Sequence, residues 1–132
     1  MNRWTNLALA VALTALPAMG CQAARDAATT EHPCSPSYID SNEFGRISAQ
    51  QAKAGADVLW GVQPNVPFER IVVRVYAGSR KVDGKNQSYE AHGVVPAQQI
   101  RKAGSGSIFR IEGETYDASG NATGFFLRCR LA

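Results

Sequence analysis

The sequence predicts a small single domain of the β-rich α+β class, antiparallel strands with one or two short helices, and a small β-sandwich as the alternative should the helices prove to be loops. Three features carry this expectation. Apolar residues alternate with period two in several segments, clusters of turn formers separate those segments, and Cys34 and Cys129 bracket almost all of them. No internal repeat marks a second unit, and about a hundred residues after the amino-terminal leader suffice for one core.

The leader comes first. Arg3 precedes a run from Leu7 to Leu16 of Leu, Ala, Val and one Thr, closed by Pro17. A positive residue before a short apolar run has the form of an export signal. A helix crossing a bilayer core needs roughly 20 apolar residues, so a removable targeting segment over residues 1–23 is expected. The chain holds three cysteines, Cys21, Cys34 and Cys129. An odd count is unfavourable in an oxidising compartment, and two routes remove the difficulty. Ala18-Met19-Gly20-Cys21 resembles a lipobox, with Ala18 where Leu is usual, and would make Cys21 an acylated first residue. Cleavage after Ala23 would instead remove Cys21 with the signal. In the first case Gln22 resembles the residue that follows the cysteine in lipoproteins sent to the outer membrane. The expected location is therefore the periplasm, free or anchored to the outer membrane by lipid.

Either route leaves Cys34 and Cys129 as a pair, and a disulfide is the default in such a compartment. Closing a loop of 95 residues removes about 4–5 kcal/mol of unfolded-state freedom in the chain-entropy picture. A redox pair is the alternative, but no Cys-x-x-Cys is present. Residues 24–36, rich in Ala, Thr and Ser with Pro33 and Pro36, suggest a tether, and 37–132 the single β-rich domain.

Within the domain, Ser48 to Gly55 carries a helix-capping residue, good helix formers and a glycine stop, which predicts a short helix. Val58 to Val62 is a brief apolar run around Trp60. Glu69 to Ala77 alternates, with Ile71, Val73, Val75 and Ala77 on one face, and is the clearest strand. Gly78 to Gln87 suggests a polar loop or hairpin turn carrying Arg80, Lys81 and Lys85 around Asp83-Gly84. Ser88 to Val95 is a further strand, and Pro96 opens a helical turn or two through Ala103 before Gly104.

A β-hairpin is expected at the carboxyl end. Ile108 to Tyr116 and Phe125 to Leu131 flank the turn formers 117–121. Phe125, Leu127, Cys129 and Leu131 should meet Phe109, Ile111, Gly113 and Thr115 over the core. A three-residue loop of Ala118, Ser119 and a left-handed Gly120 gives that parity, with Phe125 covering Gly113. In outline the chain is similar to small tethered envelope lipoproteins such as immunity proteins, lysozyme inhibitors and secretion-system accessory lipoproteins. The similarity is one of outline, without a motif shared with any one family.

Few residues suggest chemistry. Glu112 and Glu114 share a strand face about 6.6–6.8 Å apart at Cα, near the separation used by inverting glycosidases. Alternation places them on the polar face with Arg110, opposite Arg128 and Arg130, where a mixed-charge ladder is the simpler account. His32 lies in the tether and His92 in a strand, without the spacing of a metal site. Ser105 and Ser107 sit among glycines with neither a nucleophile elbow nor a phosphate loop. No catalytic residue, metal or cofactor is expected. Fourteen basic residues less Arg3 leave 13 against 11 acidic, too mild a balance for nucleic acid.

Two function classes follow. The first is a non-enzymatic binding or accessory module that recognises an envelope protein as an inhibitor, immunity factor or secretion component. Its contact surface would be Arg110, Arg128 and Arg130 with Arg80 and Lys81, because arginine forks make bidentate contacts with carboxylates. The second is a small hydrolase of an envelope polymer acting through Glu112, Glu114 or His92.

Overall fold

The computed structural model describes residues 31–132. The expected signal segment, the lipidation site Cys21 and most of the 24–36 segment lie outside the described residues. From His32 onward the chain is a β-rich α+β unit of eight strands and one helix, in two four-stranded antiparallel sheets. The strands are β1 (Ser37–Ser41), β2 (Gly45–Gln51), β3 (Val58–Pro64), β4 (Arg70–Ala77), β5 (Arg80–Gln87), β6 (Ala91–Val95), β7 (Ile108–Tyr116) and β8 (Ala122–Arg130), and the helix α1 is Ala97–Ala103. Sheet one has the order β1-β2-β3-β6 and sheet two the order β5-β4-β7-β8.

Alternation places one face of each sheet in a shared core. Ile47, Ala49, Val58, Trp60, Val62, Ala91 and Val95 come from sheet one, and Ile71, Val73, Val75, Phe109, Ile111, Phe125 and Leu127 from sheet two. The terminal hairpin has the register that facing demands: Gly113 pairs with Phe125 and Phe109 with Cys129. Its loop is Ala118-Ser119-Gly120, with Gly120 at φ 84°. Asp117 accepts the amide protons of Ser119 and Asn121 at 2.9 Å each, and these bonds, Asn121's first, hold its carboxyl below the usual range. Phe125 fills the gap over Gly113: a Cβ there would lie 2.7 Å from the Phe125 ring.

Cys34 and Cys129 are fully buried and disulfide-bonded, with Cα atoms 5.0 Å apart. This bond fixes the start of the domain to the last strand. The Cys34 amide donates to the Arg130 carbonyl, and Pro33 forms a parallel bridge with Arg130. The carboxyl-terminal end of the expected 24–36 tether is therefore held against β8 from His32 onward. His32 itself stacks on Tyr38 with centroids 4.3 Å apart.

Two expectations are corrected. Ser48 to Gly55 is not a helix, since Ser48–Gln51 belong to β2 and Gly55 turns at φ 77°. Helix propensity in Ala and Gln is worth only tenths of a kcal/mol per residue, and period-two burial of Ile47, Ala49 and Gln51 outweighs it. The buried Gln51 amide donates to the Ala56 carbonyl, and its oxygen accepts the Ala132 amide proton. Nor is Gly78 to Gln87 a loop. The reversal is confined to Gly78-Ser79, and Arg80–Gln87 forms β5 along β4, with a register shift at Val75/Tyr76. Polar edge strands are common because lysine and arginine discourage further pairing, so their composition resembles that of a loop. The helix opened by Pro96 occurs as expected, with Ile100 buried.

Trp60 is a core residue, and its indole N–H donates to Asp83 Oδ2 at 3.0 Å, linking the sheets. Gly93 makes room for this pair. A Cβ there would lie 2.7 Å from Asp83 Oδ2 and 2.9 Å from the Trp60 ring.

Candidate functional site

The outer face of sheet two collects the charge that the sequence placed on alternating positions. From β4 it shows Arg70, Val72, Arg74 and Tyr76; from β7, Arg110, Glu112, Glu114 and Tyr116; from β8, Phe126, Arg128 and Arg130. Register then decides which of these meet. One row across the sheet runs Lys81, Tyr76, Arg110, Arg128, with Ile108 and Arg130 in the next. The structure therefore brings Lys81, Arg110, Arg128 and Arg130 to one end of this face. Arg80 stands beside them at the start of β5, opposite Ala77, and Lys85 lies further along β5 opposite Val73.

Arg74 orders the carboxylates. Its guanidinium makes a two-pronged contact with Glu114, Nη2 to Oε2 at 2.7 Å and Nη1 to Oε1 at 3.3 Å, and its Nε lies 3.7 Å from Glu112. The hydrogen bonds from Arg74 hold the Glu114 carboxyl below its usual range, and Glu114 in turn raises Arg74. Arg110 Nε sits 3.1 Å from Glu112 Oε1, an ion contact outside hydrogen-bond geometry. Arg110 also lies over the Tyr76 ring at 4.2 Å, and Arg70 over the Tyr116 ring at 4.7 Å. Such stacking holds a guanidinium in place before any partner arrives.

Arg74, Tyr76 and Phe126 were not among the expected site residues. Alternation put Arg74 and Tyr76 on the polar side of β4, but only the β4–β7 pairing shows that they meet Glu112, Glu114 and Arg110. Phe126 is 47 % exposed, opposite Glu112 and two residues from Arg128. An aromatic ring open to solvent among arginines matches the composition of interface anchors.

The chain matches no family model, no curated protein and no solved structure.

His92 lies on sheet one, facing outward beside Gly61, so it does not join Glu112 and Glu114. Among the described residues no group of three or more His, Cys, Asp or Glu side chains could hold a metal, and no helix is long and apolar enough to cross a membrane.

Proposed function

We propose that the chain is an exported, non-enzymatic binding module of the bacterial envelope that recognises a more acidic protein through the outer face of β7 and β8. The observation that carries this reading is the row Lys81, Tyr76, Arg110, Arg128. Like charges directly opposite in a sheet are destabilising, and Arg110 faces Arg128. Glu114 pairs with Arg74, and Glu112 contacts Arg74 and Arg110. These two carboxylates stand against Arg70, Arg74, Arg110, Arg128 and Arg130 on the same face, which therefore keeps an excess of positive charge. A cationic row on regular strands, with one guanidinium pre-stacked on tyrosine and an exposed phenylalanine alongside, supplies the arginine and aromatic anchors of a protein interface at low ordering cost.

The remainder of the proposal rests on the sequence. The leader over residues 1–23 directs export, and acylation of Cys21 or cleavage after Ala23 yields the mature form in the periplasm, in the first case anchored to the outer membrane. The Cys34–Cys129 pair accords with an oxidising compartment. A hydrolase acting through Glu112 and Glu114 has less support, because a carboxyl held ionised by a bidentate arginine makes a poor general acid at neutral pH.

The test is capture and identification of the envelope partner. R128E/R130E should abolish binding of the partner that the unaltered protein captures and leave Tm nearly unchanged, while R80E and K81E should each weaken binding in a salt-sensitive way. Undiminished binding by the double variant would overturn the assignment.

A further inference from the structure

The opposite side of the domain carries a second feature, unrelated to the arginine row. A shallow trough of about 370 Å³ crosses the outer face of sheet one. Its floor is the row Ser48, Gly61, His92 on β2, β3 and β6. One lip holds Arg46, Gln63 and Glu90, and the other Leu59 and Gln50, with Ile39 closing the β1 end. Leu59 and Ile39 are 47 % and 41 % exposed.

Gly61 is the informative residue. Glycine within a strand weakens it and often marks close approach of another group. Gly93 of the same sheet has a packing reason, the Trp60–Asp83 pair. Gly61 has none, since a Cβ there would meet Ser48 Oγ at 3.6 Å and His92 Cβ at 3.8 Å, ordinary contacts. Its missing side chain leaves the space that deepens the trough. Among the described residues, the side chains of Arg46, Ser48, Gln50, Gln63 and His92 make no internal hydrogen bond or ion pair, in contrast to Arg74, Arg110, Glu112 and Glu114.

We propose that this trough binds a neutral oligosaccharide, with sugar hydroxyl and acetamido groups on its amide, hydroxyl and imidazole side chains and an apolar ring face on Leu59 and Ile39. Charge narrows the class, because the charged side chains lining the trough, Arg46 and Glu90, are of opposite sign and give it no net charge to recruit an anion or a cation. Shape agrees: four strands at about 4.8 Å spacing give the row from Ile39 to His92 a length of about 14 Å, which suits a short chain of rings lying across the strands. A few convergent polar groups beside apolar surface are the general form of a small-ligand site.

The intact mature protein, labelled with 15N, is titrated with a tetramer of N-acetylglucosamine, a tetramer of glucose and an acidic peptide. Saturable shifts at the Ser48, Gly61 and His92 amides are expected with at least one tetramer and not with the peptide. Gly61→Leu, which fills the trough, should weaken binding by roughly tenfold or more with Tm little changed, and S48A/H92A should weaken it likewise if Gly61→Leu folds poorly. R128E/R130E should leave saccharide binding unaltered, which keeps this result separate from that of the arginine row. Absence of shifts with both tetramers, equal affinity in the trough variants, or shifts from the peptide alone would overturn the proposal.

Discussion

The outer faces of the two sheets differ in what their polar side chains do. On sheet two Arg74, Arg110, Glu112 and Glu114 engage one another, and Tyr76 and Tyr116 underlie guanidinium groups. On sheet one the row through Ser48, Gly61 and His92 leaves its polar groups turned to solvent around a trough. Internal pairing holds side chains in fixed positions, which suits presentation to a large rigid partner. Unengaged groups around a concavity are available to a small ligand. The strand geometry is the same on both sides, so the difference lies in side-chain choice and cross-strand register.

Both faces depend on one frame, and breaking it should have the largest effect. Cys129→Ser removes the bond between the start of the domain and β8, and a loss of about 2–5 kcal/mol is expected, a drop in Tm of many degrees for a domain of this length. Unaltered melting on adding reductant to the unmodified protein would show that the frame does not rely on the bond. Next in size is the pairing within sheet two. Arg74→Met should lower stability by about 0.5–1 kcal/mol, lessened further by salt, whereas Gln63→Ala on sheet one should change it by less than about 0.5 kcal/mol. Equal effects on the two sheets would erase the distinction between them.

The smallest expected effect is a pH dependence. The Glu114 carboxyl is depressed in the folded state, chiefly by the Arg74 hydrogen bonds. Its contribution is therefore present above the ordinary carboxylate pKa and is lost as the pH falls through the depressed folded value. Glu114→Gln should flatten that part of the acid-side decline in Tm, while Gln63→Ala on the other sheet should leave the same part of the profile unaltered.

Legibility from the sequence followed the range of the interactions. The register of the hairpin of β7 and β8 was readable, because turn chemistry at 117–121 and two alternating strands fix it locally, although β8 runs over Ala122–Arg130 and not the expected Phe125 to Leu131. The helix after Pro96 and the inward facing of Cys129 were readable for the same reason. Residues 48–51 misled because local propensity favours a helix, while the buried side of β2 is decided by packing against sheet two. β5 was hidden because an edge strand with one neighbour requires little apolar alternation. At the arginine face the sequence supplied Arg110, Arg128 and Arg130, but not Arg74 or Phe126.

By itself, then, the sequence determined the strand-rich class, the cysteine pair, the final hairpin and the alternation of charge along β4, β7 and β8. Only the tertiary structure decided that Arg74 meets Glu114, that Lys81 joins Tyr76, Arg110 and Arg128 in one row, and that Gly61 lies between Ser48 and His92. The physical reason is that alternation gives a side chain its face within a strand. Its neighbours on that face come from strands distant in sequence, whose order and register are set by how the two sheets close around one core.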